Sequence, residues 1–188
     1  MIGTWIRLDP LQAEDAPGLA AAATDGRLWE STVTVIPRPE GMAAFVGQRL
    51  ADVAAGTWQA FTVRRLADDR IVGLTNYLHI DPVNRRREIG GTWYAASAQR
   101  TAVNSEAKLL LLDHAFGPLG CVAVELRTHA RNAASRAAIE RLGAQQDGVL
   151  RHHLFMPDGS LRDTAVYSIL AGEWPALRER LVARLAAG

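Results

Sequence analysis

The 188-residue chain is nearly devoid of cysteine and lysine, with one of each. Cys121 alone excludes an internal disulfide and a thiolate zinc site. It begins an apolar segment and reads as a small core hydrophobe rather than a nucleophile. Lys108 is the only lysine, so 20 of the 21 basic residues are arginine, which leaves little room for regulation by lysine modification. An excess of either charge is also missing. The net charge of +1 argues against a nucleic-acid binder that works by charge alone, and Arg85-Arg86-Arg87 reads as a solvated loop. No run approaches the roughly 18 apolar residues of a membrane span. The segment MIGTWIRLDPLQAED has no basic stretch followed by an apolar one. These absences predict a single domain over residues 1–188, soluble and cytoplasmic, with no membrane partner and no direct nucleic-acid contact. A homodimer stays open.

Familiar chemical signatures are absent too. There is no GxSxG elbow, Walker loop or GxGxxG fingerprint. His79, His114, His129, His152 and His153 show no metal-ligand spacing with a carboxylate, so no metal is expected.

What is present is concentrated between Glu88 and Gly143. A strand is predicted over EIGGTWYAA (88–96), then a loop, Gln99-Arg100-Thr101-Ala102-Val103-Asn104, then an apolar helix, SEAKLLLLDHAF. CVAVELRTHA (121–130) reads as a strand, and a second helix starts after Asn132. A loop leading from a strand into a helix N-terminus presents unsatisfied amides that favour an anion such as a phosphate. Asn104 or Ser105 could equally cap that helix with no ligand. Asn132 reads as an N-cap with Ser135 at the third helical position. Both side chains either cap the helix or face a ligand between the two central strands. Glu88 reads either as a strand-end charge paired with Arg86 or Arg127, or as a general base raised by partial burial.

Around this core, residues 4–9 alternate like a strand and Asp15-Ala16-Pro17 opens a helix. Residues 25–39 are irregular, and 40–54 form an amphipathic helix closed by Gly56. TWQAFTVRR and RIVGLTNYLHI form a hairpin. GVLRHHLFM and LRDTAVYSIL form another through Pro157 to Ser160. A last helix starts at Glu173, with Leu177, Leu181 and Leu185 on one face. The expected fold class is α+β, a seven-stranded mixed sheet with four or five helices.

The order and the motifs resemble a GNAT-superfamily N-acetyltransferase, closest in style to the RimJ/RimL-type branch. Gln99 matches the first position of that family's pyrophosphate loop. Ala102 and Asn104 stand where glycine, and glycine or alanine, are expected. Glu106-Ala107 resembles the branch's "EA", and Asn132-Ala-Ala-Ser135 leading to Leu142-Gly143 resembles its N-x-x-S…LG segment. Asp147-Gly148-Val149-Leu150-Arg151 is similar to its "EGVLR". The resemblance implies a mostly antiparallel sheet splayed between two central strands and flanked by helices. It implies acetyl-CoA as cosubstrate, with no metal, held by Gln99, Arg100, Thr101, Ala102, Val103, Asn104, Ser105, Asn132 and Ser135. Amides around Trp93, Tyr94 and Ala95 would hold the acetyl oxygen. Glu88 stands where some members carry a catalytic glutamate, 99 − 88 = 11 residues before the loop. Ser135, or else Tyr167, would assist the leaving thiolate, while Leu154 stands near the place of a glutamate that RimL-like members use. The acceptor implied is a primary amine, of a protein N-terminus or a small molecule, flanked by the 25–39 segment with Trp29 and Glu30. A catalytically silent CoA-binding regulatory module is the alternative.

Overall fold

The computed structural model describes residues 1–187. Seven strands form one sheet: β1 Ile6–Pro10, β2 Trp58–Arg65, β3 Ile71–Asp81, β4 Arg86–Tyr94, β5 Ala123–His129, β6 Gln145–Phe155 and β7 Leu161–Leu170. The spatial order is β1-β2-β3-β4-β5-β7-β6. All neighbours are antiparallel except β4 and β5. Five α-helices flank the sheet: α1 Ala16–Thr24, α2 Met42–Ala54, α3 Ala102–Phe116, α4 Ala133–Leu142 and α5 Trp174–Ala186. The mixed α+β sheet expected from the sequence is the one observed. Among the described residues, no helix is long and apolar enough to cross a membrane.

Parallel strands need a crossover of a dozen or so residues, and α3 supplies it between β4 and β5. Its buried residues Ala107, Leu111, Leu112 and Ala115 pack over the sheet with Val124 and Leu126 of β5 and Ile169 of β7. Tyr77 of β3 fastens the helix by donating its hydroxyl to the Leu111 carbonyl. The final helix lays Trp174, Leu177 and Leu181 into the same layer, and the Trp174 ring meets Phe116 of α3 at 5.9 Å. Helices α1 and α2 cover the β1–β4 half of the other face, where Arg49 of α2 stacks 3.6 Å from the Trp58 ring. The β5-β7-β6 half of that face carries no helix.

Several boundaries differ from the sequence reading: Arg86 and Arg87, expected in a solvated loop, open β4, and two differences flank the loop before α3. The first central strand ends at Tyr94, and Ala96–Ala98 makes a short 3-10 turn. The helix after it begins at Ala102, three residues before the expected start, and its N-cap is Thr101, whose hydroxyl accepts from the Val103 amide at 3.3 Å. Neither Asn104 nor Ser105 caps it. A threonine at the cap followed by alanine suits a helix start as well as asparagine does; the glycine-loop expectation obscured that.

Candidate active site

The pairing of β4 with β5 covers only Arg86↔Ala123, Arg87↔Val124 and Glu88↔Glu125. Beyond Glu88 the two strands part, which opens a wedge in the middle of the sheet. At the paired end β5 remains joined to β7 along its full length, from Ala123↔Leu170 to His129↔Thr164. The N-terminus of α3 and the α4 cap both stand at the open end of this wedge.

A bulge shapes its β4 edge. Gly91 has φ +56°, and the Asn76 amide donates to the carbonyls of Gly90 and Gly91 at 3.0 and 3.2 Å. A Cβ at Gly90 would lie 2.5 Å from Glu88 Oε1, so the glycine makes room for that carboxylate. The Ala95 amide donates to the Val72 carbonyl at 2.8 Å and is not free for an acetyl oxygen. Strand alternation turns the Tyr94 and Thr92 amides to the opposite edge, toward the wedge. The expected trio of amides thus becomes Tyr94 and its neighbour Thr92. The Tyr94 carbonyl accepts from the Gln99 side chain at 2.9 Å, which ties the loop to the strand end. Burial leaves the Tyr94 hydroxyl and the Trp93 indole nitrogen without partners and pushes the Tyr94 phenol well above its usual range.

Glu88 is 4% exposed. Its Oε2 lies 2.8 Å from His79 Nδ1 and 3.4 Å from Arg127 Nε. Burial raises its pKa; His79 and Arg127 oppose that without cancelling it. Its register partner Glu125 has the opposite fate. Burial works against its charge, but Arg127 at 2.7 Å and Arg86 at 2.8 Å hold it below the usual carboxylate range. Two adjacent carboxylates with divergent proton affinities are the pattern of a structural anion beside a proton acceptor.

Across the wedge, Asn132 caps α4: its Oδ1 accepts from the Ser135 amide at 3.0 Å. The capping bond goes to the Ser135 backbone, and the Ser135 hydroxyl makes no hydrogen bond among the described residues. Tyr167 is fully buried. Its hydroxyl donates to Glu140 at 2.8 Å and accepts from Arg136 at 2.9 Å, so it is engaged beneath α4. Ser135→Ala is therefore expected to keep the melting temperature within about 1–2 °C, because no cap is lost. If its hydroxyl serves the reaction, kcat falls about tenfold or more in the same assay.

The α3 entry carries Arg100 in the left-handed region, φ +59°, then Thr101 at the cap and Ala102, Val103 and Asn104 in the first turn. The first amides of this turn have no carbonyl partner within the helix. One turn on, Glu106 is buried, and its carboxylate accepts from the amides of Thr4, Trp5 and Ile6 at 2.5 to 2.8 Å. Lys108 is buried as well, with Thr92 Oγ1 at 3.2 Å as its partner, and burial pulls its ammonium down to about 8. Neither role is legible in the sequence, because Glu106 and Lys108 point to different sides of a helix that is apolar nearly all round.

Trp29 and Glu30 lie in the 3-10 turn Leu28–Glu30, and Asp158 lies in the turn between β6 and β7. Trp29 is partly buried and has Arg38 at 6.0 Å from its ring. Glu30 is paired to Arg27 at the surface, 2.5 Å away. Asp158 closes the β6–β7 turn by accepting from the Ser160 amide and hydroxyl. A concavity of about 610 Å³, lined in part by Arg86, Glu125, Arg127, Asp147 and Ser168, lies on the uncovered face at the paired end of β5 rather than in the wedge. No group of three or more metal-ligating side chains occurs among the described residues.

The family model described as "Acetyltransferase (GNAT) domain" matches residues 6–145. The chain belongs to the GNAT acetyltransferase family. It is similar to a GCN5-related N-acetyltransferase of Brucella melitensis, 30% identical, with a TM-score of 0.85 over 98% of this chain and 84% of that one. It is 32% identical over 109 residues to "Putative ribosomal N-acetyltransferase YdaF" of Bacillus subtilis, a match spanning 58% of each protein. The RimJ of Mycobacterium smegmatis, solved with CoA-disulfide, shares the fold at 22% identity, with a TM-score of 0.80 over 95% of this chain and 88% of that one.

Proposed function

We propose that this protein is an N-acetyltransferase that moves an acetyl group from acetyl-CoA directly to a primary amine. The observation that carries the reading is the wedge itself. A buried carboxylate of raised pKa sits where β4 and β5 part, with free strand-edge amides beyond it and a capped helix N-terminus at its open end.

The residues fit the donor. The first-turn amides of α3, from Ala102 to Asn104, with the Thr101 cap, form a concentration of unpaired donors suited to a pyrophosphate. Ala102 is small enough for close backbone approach, and as the first helical residue it needs no positive φ. Arg100 adds a positive charge beside it. Acetyl-CoA supplies an acetyl group already activated as a thioester. The chain's own residues do the rest. Glu88 takes a proton from the acceptor ammonium, directly or through water. The Tyr94 and Thr92 amides face the developing negative charge. The Ser135 hydroxyl, free of other bonds, stands at the α4 entry to assist the departing thiolate.

Thiol release from acetyl-CoA, followed over a panel of amines that includes peptide N-termini and small molecules, tests the activity. A catalytically silent CoA-binding module would bind acetyl-CoA and release no thiol with any amine. The phosphate placement is tested by Ala102→Asp, which sets a negative charge against the pyrophosphate. The expected loss of acetyl-CoA affinity is about tenfold or more by calorimetry, with the fold intact. Unchanged affinity would move the pyrophosphate elsewhere. As for the acceptor, a peptide N-terminus and a small amine both suit the open sheet face beside Glu88. The name of the Bacillus subtilis relative favours the peptide. A cytoplasmic site of action accords with such a substrate.

A further inference from the structure

The face from which an amine reaches Glu88 carries an arginine, Arg162, that no carboxylate meets among the described residues. On β7, Arg162 and Thr164 share the face of Arg127 and His129, as the register His129↔Thr164 requires. The Arg162 side chain runs back along β7, because its Nε donates to Thr164 Oγ1 at 3.1 Å. That run brings its charge within the field of Glu88. No carboxylate lies within 4.0 Å of Arg162 among the described residues. Its two terminal nitrogens, the fork that suits a carboxylate or phosphate bidentately, make no hydrogen bond there. The guanidinium is half-buried, and burial lowers its proton affinity.

His153 Nδ1 lies 3.1 Å from the same Thr164 hydroxyl, and burial together with Arg127, Arg162 and His79 lowers its proton affinity, so the positive charge beside Thr164 is that of Arg162. The acidic groups nearby are each occupied. Asp163 accepts from the His152 amide at 2.7 Å, Glu125 is held by two arginines, and Asp147 accepts from the Ser168 hydroxyl at 3.0 Å. An amine entering this face finds Glu88 already shared by His79 and Arg127, while the Arg162 fork stands open to an anion. A partly desolvated cation without a counter-ion is unfavourable in itself, and an anion delivered by a ligand relieves it.

We propose that the acceptor carries an anionic group, a carboxylate or phosphate, a few bonds from its amine, and that Arg162 holds this group while the amine faces Glu88. The inference rests on the acceptor side assigned with Glu88 as proton acceptor. Two sources share this chemistry: an acidic side chain in the first residues of a peptide, and a small amine bearing its own acid group.

The test uses matched pairs in both arms. One arm compares peptides with Asp or Asn at the second or third position. The other compares small amino acids with their amides. In the thiol-release assay the acidic member of at least one pair is expected to have kcat/KM about tenfold or more above its neutral twin. In Arg162→Met that ratio falls to about one, while the neutral twin changes less than about threefold. The arm that shows the ratio identifies the source. Equal rates within every pair, or a ratio that survives Arg162→Met in a protein of unchanged melting temperature, would overturn the proposal. Calorimetry with the N-acetylated products, in the presence of CoA, separates this from the acetyltransferase reading because it needs no turnover. Tighter, Arg162-dependent binding of the acidic product supports the anion site even if no amine is acetylated. Equal binding of acidic and neutral products overturns it even if acetylation is fast.

Discussion

Glu88→Gln is expected to lower kcat by about a hundredfold at neutral pH, in the range usual for loss of a general base, and to leave acetyl-CoA affinity nearly unchanged. Glutamine preserves the shape that Gly90 accommodates and keeps one acceptor for Arg127, so the strand edge stays in place. What disappears is the proton site. The pH profile gives the sharper test. Glu88 acts only when ionised, and burial raises its pKa, so the acid limb of kcat/KM lies at higher pH than an ordinary glutamate would place it. His79 lowers that pKa through its hydrogen bond. Removing the bond with His79→Leu leaves the desolvation intact and shifts the limb further upward. In Glu88→Gln the limb is abolished. A variant whose kcat falls less than about threefold at every pH, with the limb still present, would place the proton acceptor elsewhere.

The fold was legible because its signals were local and periodic. Seven strands, the hairpin turns at Asp68 and Asp158, and the Asn132 cap all came from patterns within a dozen residues. The N-terminal boundary of α3 did not, since Thr101 and Ala102 were read as a loop awaiting glycine. Alanine in the first turn needs no special backbone, and a threonine before it is an ordinary cap. The base candidate was visible as a charge in an apolar strand. Its partners were not, because His79 comes from the next strand and Arg127 from a strand 39 residues on. The difference between Glu88 and Glu125 depends on how many guanidinium groups reach each, and only the assembled sheet decides that. The cationic acceptor face was hidden for the same reason. Arg162, His153 and Arg127 lie on three strands, and Glu30, the acidic residue expected on the acceptor side, is paired with Arg27.

Glu106→Ala is expected to have the largest effect on stability. In the sequence Glu106 stands out only through the resemblance of Glu106-Ala107 to a family dipeptide. It is buried, with one oxygen accepting from the Thr4 amide and the other from the amides of Trp5 and Ile6. These are the amides that lead into β1, the sheet edge, whose outer side also takes the short Ile2↔Arg7 bridge and the hydrogen bonds between Met1 and Leu8. For these three amides the carboxylate substitutes for a neighbouring strand and fastens the edge to α3. The fit is close: a Cβ at Gly3 would lie 2.3 Å from the carboxyl carbon. Alanine at 106 leaves a cavity and up to three amides without partners, each worth roughly 1–3 kcal/mol if it stays buried. The amides nearest the surface recover water, so the expected loss is about 3 kcal/mol, or roughly 6–12 °C in melting temperature for a chain of this size. Gly3→Ala attacks the same latch from the other side and should destabilise in the same direction by a smaller amount. Combining the two should give less than the sum, because residues that share one network are not additive. Urea unfolding of the four proteins measures all of this. A melting temperature for Glu106→Ala within about 2 °C of the parent would mean that water replaces the carboxylate at little cost, and that β1 is held by β2 and by its bridge to Ile2 without the latch.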